Sequence, residues 1–150
     1  MNSRGNLAAR LADSLYTEAL LLADEMRAYF DRDGCADRDQ LSPYGRVQFA
    51  CESLKATTRL MHVIAWLATR RAIDHGELAE GELGVPERRL AEASASEPEV
   101  LGGLPSPARK LILAGIDLYE RVGRLADGIE APIATASPAR ALFRRLENAF

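Results

Sequence analysis

The stretch from Leu60 to Ala68 is apolar in every direction around a helix except at His62. A helix of this kind has to be covered on all sides. It lies inside a longer run, residues 55–72, whose basic residues stand on both sides of the apolar centre. A chain of 150 residues has room for one domain and few helices. The cover must therefore come from the chain's own bundle, from a second copy of the chain or from another protein.

Three long segments of the chain repeat apolar residues every three or four positions, which is the period of an amphipathic helix. They span about residues 6–30, 43–75 and 105–131. No strand pattern and no internal repeat accompanies them. The sequence therefore predicts an all-α fold, an antiparallel three-helix bundle with a long central helix. At 1.5 Å per residue, the central helix of roughly 33 residues would be about 50 Å long.

The predicted helix boundaries depend on a few glycine, serine and proline residues. Gly34 is expected to end the first helix in the left-handed conformation, and a polar loop follows to Gln40. Ser42 is expected to cap the second helix, because its hydroxyl can accept from free backbone amides, and Pro43 to begin it. Gly76 is the expected terminator of the second helix.

The second and third predicted helices each carry a continuous apolar stripe. The stripe on the second helix consists of Val47, Cys51, Leu54, Thr58, Met61, Ala65, Ala68 and Ala72. The stripe on the third helix is a heptad seam of Ala108, Leu111, Gly115, Leu118, Val122, Leu125 and Ile129. Gly115 within this seam would allow a neighbouring helix to approach closely.

The segment between the second and third helices is acidic. Residues 77–103 carry seven acidic and two basic groups, together with four glycines and two prolines. We interpret them as a connector with short helical stretches near residues 77–80 and 86–93. Residues 1–130 are predicted to form the bundle domain, and residues 131–150 a C-terminal extension that is flexible or forms a short helix.

The sequence offers no residue pattern typical of catalysis. It has no phosphate-binding glycine loop, dinucleotide fingerprint, nucleophile elbow or zinc-protease motif. Neither His62 nor His75 has a glutamate three positions before it, as the ligand pairs of carboxylate-bridged metal bundles require. We therefore expect no catalytic residue, no metal site and no cofactor. Cys35 and Cys51 are expected to be reduced thiols in a cytoplasmic protein.

One face of the second helix has the composition of a binding surface. It is formed by Arg59, Val63, Trp66 and Arg70. Tryptophan and arginine are the residues that binding hot spots favour. We predict that this face, with Arg71 beside it, binds a second subunit or a partner protein. The alternative is that Val63 and Trp66 pack on a neighbouring helix while the arginine head groups stay in water.

The end of the chain is a second candidate for partner binding. Its predicted docking residues are Leu142, Phe143, Arg144, Arg145, Leu146 and Phe150, whose apolar members share one side of a short helix. Such a helix can dock in a groove of another protein, lie on a membrane, or fold back on its own bundle. No apolar run reaches the roughly 20 residues that a membrane span needs.

Residues 52–78 closely resemble the signature of the alphaproteobacterial regulator-of-CtrA-degradation family. The resemblance is carried by the runs Glu52-Ser53-Leu54-Lys55, Thr57-Thr58-Arg59-Leu60-Met61, Ala65-Trp66-Leu67, Arg71-Ala72-Ile73 and Gly76-Glu77-Leu78. The order of the three long helices fits the same family. Its signature positions in this chain are Thr57, Thr58, Arg59, Trp66 and Arg71, which have either structural roles or partner contacts.

The resemblance implies a homodimeric three-helix bundle that acts as a non-enzymatic adaptor. Family members help the ClpXP protease to degrade cell-cycle regulators such as CtrA. The implied partners are the protease with its response-regulator adaptor, a cyclic-di-GMP-binding adaptor and the substrate. The implied location is the cytoplasm, including a cell pole.

Two other functions compete with the adaptor interpretation. The first is a helical DNA-binding regulator, although the net charge of −3 and pI near 5.5 give no general attraction to nucleic acid. The spacing of a helix-turn-helix is also missing. The second is a small helical bundle that binds a metal or a small molecule.

Overall fold

A computed structural model describes residues 3–81 and 89–130 of the chain. Its helices are α1 (Ser3–Ala28), α2 (Cys35–Asp39), α3 (Pro43–Asp74), α4 (Pro98–Gly102) and α5 (Ser106–Glu130), with a π-helical turn at Tyr29–Asp33. The described residues contain no strand. The predicted all-α bundle is confirmed, and its central helix α3 is the longest at 32 residues.

The three long helices contact one another in pairs around one core. Helix α1 runs antiparallel to α3, since Arg71 near the end of α3 pairs with Asp13 in the first half of α1. It also runs antiparallel to α5, where Arg121 pairs with Glu18. Helices α3 and α5 are consequently parallel, so the chain between them must return along the whole bundle. This requirement explains why the connector is long.

The core is formed by apolar side chains from all three long helices. Its members include Leu15, Leu22, Met26, Leu60, Val63, Leu67, Ile112, Leu118 and Val122. The predicted seam of α5 faces this core, since Ala108, Gly115, Leu118 and Val122 are buried. A side chain at position 115 would start 3.0 Å from the Met26 methyl group, so α1 lies close to α5 here and the Met26 side chain would have to shift to make room.

The predicted limits of α3 agree with the structure. The Ser42 hydroxyl accepts a hydrogen bond from the Gly45 amide at 3.1 Å, and Pro43 is the first helical residue. After Asp74, Gly76 has a φ of +76°, the left-handed conformation in which glycine is tolerated best. No helix among the described residues is long and apolar enough to cross a membrane.

The predicted end of α1 is wrong in its detail. Gly34 has a φ of −85°, and the chain continues through a π-helical turn into α2, where we had predicted a polar loop. The Gly34 amide donates a hydrogen bond to the carbonyl oxygen of Tyr29, five residues earlier. A Cβ atom at Gly34 would lie 2.8 Å from the Tyr29 ring. Gly34 is thus required by close packing on Tyr29, and not by a left-handed backbone.

Tyr29 joins the π-helical turn to α2, and its ionisation should affect stability. Its hydroxyl donates to Asp37 at 2.9 Å, and burial together with that carboxylate raises the Tyr29 pKa to about 12. The ordinary tyrosine pKa is about 10. The stabilisation that the raised Tyr29 pKa contributes is therefore fully present below pH 10 and is lost as pH rises through 12. We expect the free energy of unfolding to fall by about 2 kcal/mol between pH 10 and 12 from this group.

Urea denaturation followed by circular dichroism across that pH range would measure the loss. Tyr29→Phe is the control, because phenylalanine cannot ionise, and its free energy of unfolding should fall less over this pH range. An equal fall in the two proteins would contradict the assignment to Tyr29.

The connector differs from its predicted form. Residues 89–97 have no helix, and the short helix α4 at Pro98–Gly102 was not predicted. The boundary between residues 1–130 and 131–150 stays a prediction, because residues 131–150 lie outside the described part of the chain. The same holds for the C-terminal docking residues Leu142, Phe143, Arg144, Arg145, Leu146 and Phe150.

Candidate protein-binding surface

The predicted binding face of α3 is largely buried within the chain. Val63 is fully buried, Trp66 is 2% exposed and Arg59 is 4% exposed. Arg70 pairs with Asp74 on the same helix at 2.7 Å, and both side chains are mostly covered. The prediction that this face is open to a partner is therefore wrong for Arg59, Val63 and Trp66. Val63 and Trp66 pack inside the bundle, which is the alternative that the sequence left open.

Arg59 is buried because it holds the connector against α3. Its guanidinium Nη2 donates to the Ser94 carbonyl oxygen at 2.8 Å and to the Ser96 hydroxyl at 3.3 Å. The Ser96 hydroxyl in turn donates to the carboxylate of Glu52, which is also buried. Removal from water lowers the pKa of Arg59, and the charge of Glu52 opposes that effect. No local pattern in the sequence indicates that Glu52 is a core residue.

Of the other signature positions, Arg71 has contacts within the chain, and Thr57 and Thr58 are exposed. Arg71 donates from Nε to Asp13 at 2.8 Å and lies over the Tyr16 ring, 4.4 Å from its centroid. It therefore ties α3 to α1. Thr57 and Thr58 are exposed, and the Thr57 hydroxyl donates to the Ser53 carbonyl oxygen on the same helix.

The apolar face that α3 leaves open corresponds to the continuous apolar stripe predicted for the second helix. We call the exposed part the α3 seam: Tyr44, Val47, Cys51, Leu54, Thr58, Met61, Ala65 and Ala68, all of which are exposed. Their spacing alternates between three and four residues, as in the a and d positions of a coiled coil. Four large members, Tyr44, Val47, Leu54 and Met61, are between 59% and 72% exposed. The α3 face predicted to bind a partner is thus largely buried, and this stripe is the apolar face that α3 leaves exposed.

Side-chain size changes along the α3 seam. Its first half carries Tyr44, Val47 and Leu54, whereas Ala65 and Ala68 close it. A large apolar side chain packs best opposite a small one, because filled space without overlap is what stabilises a packed interface. A second α3 running in the opposite direction would provide that match, and a parallel one would not.

A shallow apolar groove adjoins the α3 seam at Met61. It has a volume of about 360 Å³ and is lined by Ala23, Met26, Arg27, Phe30, Asp31, Thr57, Leu60, Met61 and Ile64. Apart from Arg27, Asp31 and Thr57, its lining is apolar, and no histidine or cysteine takes part. The groove extends the apolar surface of the α3 seam toward α1, which favours protein contact over catalysis.

Metal-binding side chains do not cluster in the described residues. No group of three or more His, Cys, Asp or Glu side chains comes together there in a way that would hold a metal ion. His62 is half-buried in α3. Cys35 and Cys51 are both free thiols.

Comparisons with known proteins agree with the fold. A family model described as "Protein of unknown function (DUF1465)" matches residues 3–150. Among solved structures, the chain is similar to RcdA from Caulobacter crescentus, with 34% sequence identity and a TM-score of 0.64. That match covers 79% of this chain and 90% of the RcdA chain. No curated protein sequence gives a significant match.

Proposed function

The chain belongs to the DUF1465 family and is an RcdA-like protein, and we propose that it is a non-enzymatic adaptor that delivers cell-cycle regulators such as CtrA to the ClpXP protease. The observation that carries the proposal is the resemblance to this family, in residues 52–78 and in the fold, and the α3 seam, an apolar helix face left open by the chain's own bundle, is the surface through which we propose that two copies assemble. Contiguous exposed apolar surface of this kind marks sites of protein interaction. The family is also not a known enzyme family.

The proposed partners are the protease with its response-regulator adaptor, a cyclic-di-GMP-binding adaptor and the substrate. A reconstituted degradation assay with these purified proteins, cyclic di-GMP and ATP tests the role. We expect CtrA to disappear faster when the chain is present, while the amount of the chain itself stays constant. An unchanged rate, with no complex formed between the chain and any of these proteins, would exclude the adaptor role.

The competing DNA-binding role can be measured with the same preparation. Fluorescence anisotropy with labelled duplex DNA at physiological salt should show no saturable binding, because the chain is acidic overall. Saturable binding that weakens steeply with salt would favour the DNA-binding regulator.

We further propose that the chain forms a homodimer through two α3 seams that run antiparallel. In an antiparallel coiled coil, each a position faces a d position of the partner helix. Placing Tyr44 opposite Ala68 of the second copy then sets Val47 against Ala65, Cys51 against Met61 and Leu54 against Thr58. All eight seam residues pair in this register, and the largest side chains meet the smallest.

Leu54→Glu is expected to dissociate this dimer. Leu54 is 67% exposed in the single chain, so the fold should tolerate the change. In the dimer, a charge would be placed in an apolar interface, which is costly. We expect dimerisation to weaken by roughly 100-fold, or about 2.7 kcal/mol. Light scattering over a concentration series would measure the mass.

Leu21→Glu is the matched control for this prediction. Leu21 is 60% exposed but lies on α1, outside the α3 seam. It should leave the dimer unchanged. If Leu54→Glu keeps the wild-type mass, or if both variants lose it equally, the α3 seam is not the dimer interface.

The native Cys51 reports the direction of pairing. In a background where Cys35 is serine, the antiparallel register places Cys51 opposite Met61, so Met61→Cys should give a disulfide-linked dimer under mild oxidation. The unmodified Cys51 should give none. A parallel register would instead place Cys51 beside Cys51 of the second copy. Non-reducing gel electrophoresis separates the two outcomes, and a crosslink without Met61→Cys would exclude the antiparallel arrangement.

A further inference from the structure

The connector lies in the groove between α3 and α5 and is held there through its backbone. Tyr119 on α5 donates from its hydroxyl to the Ala91 carbonyl oxygen at 2.7 Å. On α3, Arg59 donates to the Ser94 carbonyl oxygen and Lys55 donates from Nζ to that of Ala95, at 2.8 and 3.1 Å. Three main-chain carbonyl oxygens of the connector therefore each accept a hydrogen bond from a side chain of the bundle.

The side chains of the connector contribute little to this attachment. Residues 91–96 are alanine, glutamate or serine, and most of them are exposed. Ser96 is the exception, because its hydroxyl bridges Arg59 and Glu52. A groove that binds carbonyl oxygens and one small hydroxyl would accept any peptide with small side chains in this register. Main-chain hydrogen bonds give affinity and the side-chain positions give specificity in such recognition.

The face of α3 that carries Arg59 has two buried donors without a partner. Within the described residues, the second terminal nitrogen of Arg59, Nη1, and the indole Nε1 of Trp66 are buried without a hydrogen-bond partner. Trp66 lies seven residues after Arg59, so both belong to the same face of α3. A cavity of about 250 Å³ also adjoins Leu90 and Tyr119. Buried donors without partners are uncommon in folded proteins, and a further hydrogen-bond acceptor would satisfy them.

We propose that the α3–α5 groove is a binding site for a peptide with small side chains, and that residues 91–96 of the chain are its internal occupant. A client segment binds there by replacing the connector, which acts as a built-in competitor. A segment with the same carbonyl and hydroxyl groups would keep Glu52 and Arg59 hydrogen-bonded, whereas simple opening would leave both groups to water. The inference deepens the proposed adaptor function by naming a class of client segment. Peptide binding is measured without the protease, so it can fail or succeed independently of the adaptor role.

The test uses the full chain and a fluorescent peptide with the sequence of residues 89–98. Ser96→Ala weakens the internal occupant, since it removes the donor to Glu52 and the acceptor for Arg59, while the peptide keeps its own serine. We expect the variant to bind the peptide about tenfold more tightly than the wild type. Ser94→Ala is the matched control, because only the carbonyl of Ser94 is used, and its affinity should equal that of the wild type.

Hydrogen exchange provides the second readout. Amides of residues 91–97 should exchange faster in Ser96→Ala, and faster still when the peptide is bound. A peptide in which the serine equivalent to Ser96 is alanine should lose the tenfold advantage. Equal peptide affinity in Ser96→Ala and Ser94→Ala would overturn the proposal. Unchanged exchange of the connector in Ser96→Ala would also overturn it, because the internal occupant would then not be displaceable.

Discussion

Trp66→Ala is expected to lower the free energy of unfolding by about 3–5 kcal/mol, the range for truncating a large buried aromatic side chain. Trp66 is 2% exposed and belongs to the core that joins α3 to the other long helices. Its removal leaves a cavity that neighbouring helices can fill only in part. Urea denaturation followed by helical circular dichroism is the suitable measurement, because Trp66 is the only tryptophan and the variant has no tryptophan fluorescence.

The same variant decides between a core role and a partner-binding role for Trp66. Trp66→Phe, which keeps most of the apolar volume, should lose clearly less stability than Trp66→Ala. A stability change below about 1 kcal/mol in Trp66→Ala, together with a lower dimer mass, would contradict burial and return Trp66 to the subunit interface.

Arg59→Ala should also destabilise the fold, for a different reason. Breaking a buried charged network by removing one partner costs about 3–5 kcal/mol when the other charge is left without compensation, and we expect the lower part of that range, because Glu52 keeps one of its partners. Glu52 would keep Lys55 at 2.9 Å but lose the cation that faces it through Ser96. The Ser94 carbonyl would also lose its donor. We expect denaturation at a lower urea concentration and faster hydrogen exchange in the connector.

The control for Arg59 is a double variant. Replacing Arg59 with methionine and Glu52 with leucine removes both buried charges and keeps their volume, so much of the lost stability should return. If the double variant is only as stable as the sum of the two single changes predicts, the two residues do not act as one network. A loss below 1 kcal/mol in Arg59→Ala would show that its burial is not energetically important.

These roles change the meaning of the family signature in this chain. Arg59 holds the connector, Trp66 fills the core and Arg71 ties α3 to α1. All three have structural roles that require a specific side chain. Leu54, Thr58 and Met61 lie within the same signature run but face outward. The run therefore contains buried residues that the fold needs and exposed residues, interleaved on one helix.

Local patterns predicted most of the fold. The Ser42 cap, Pro43 and Gly76 set the limits of α3 through short-range backbone chemistry, and the structure confirms them. The α5 seam was also predicted, because only one side of that helix is apolar. Gly34 was misinterpreted, because its requirement comes from contact with the Tyr29 ring and not from its own dihedral angle.

The candidate site was harder to predict, because α3 is apolar on two faces. Periodicity reports that a face is apolar, but it does not say which neighbour covers it. Arginine beside tryptophan suggested an exposed hot spot, whereas the buried Glu52 and the returning connector allow Arg59 to lie inside. The Ser94 carbonyl and the Ser96 hydroxyl that Arg59 binds are 35 and 37 residues away in the sequence, so no local pattern contains them.

The sequence by itself determined that the chain is helical, where its three long helices lie and that the belt from Leu60 to Ala68 needs cover on every side. Short-range propensity and apolar spacing are sufficient for these conclusions, because both act within a few turns of helix. Only the tertiary structure decided which part of the chain packs on which face of α3. The parallel arrangement of α3 and α5 forces the connector back over Arg59, buries the face with Trp66 and leaves the α3 seam, with Leu54 and Met61, open.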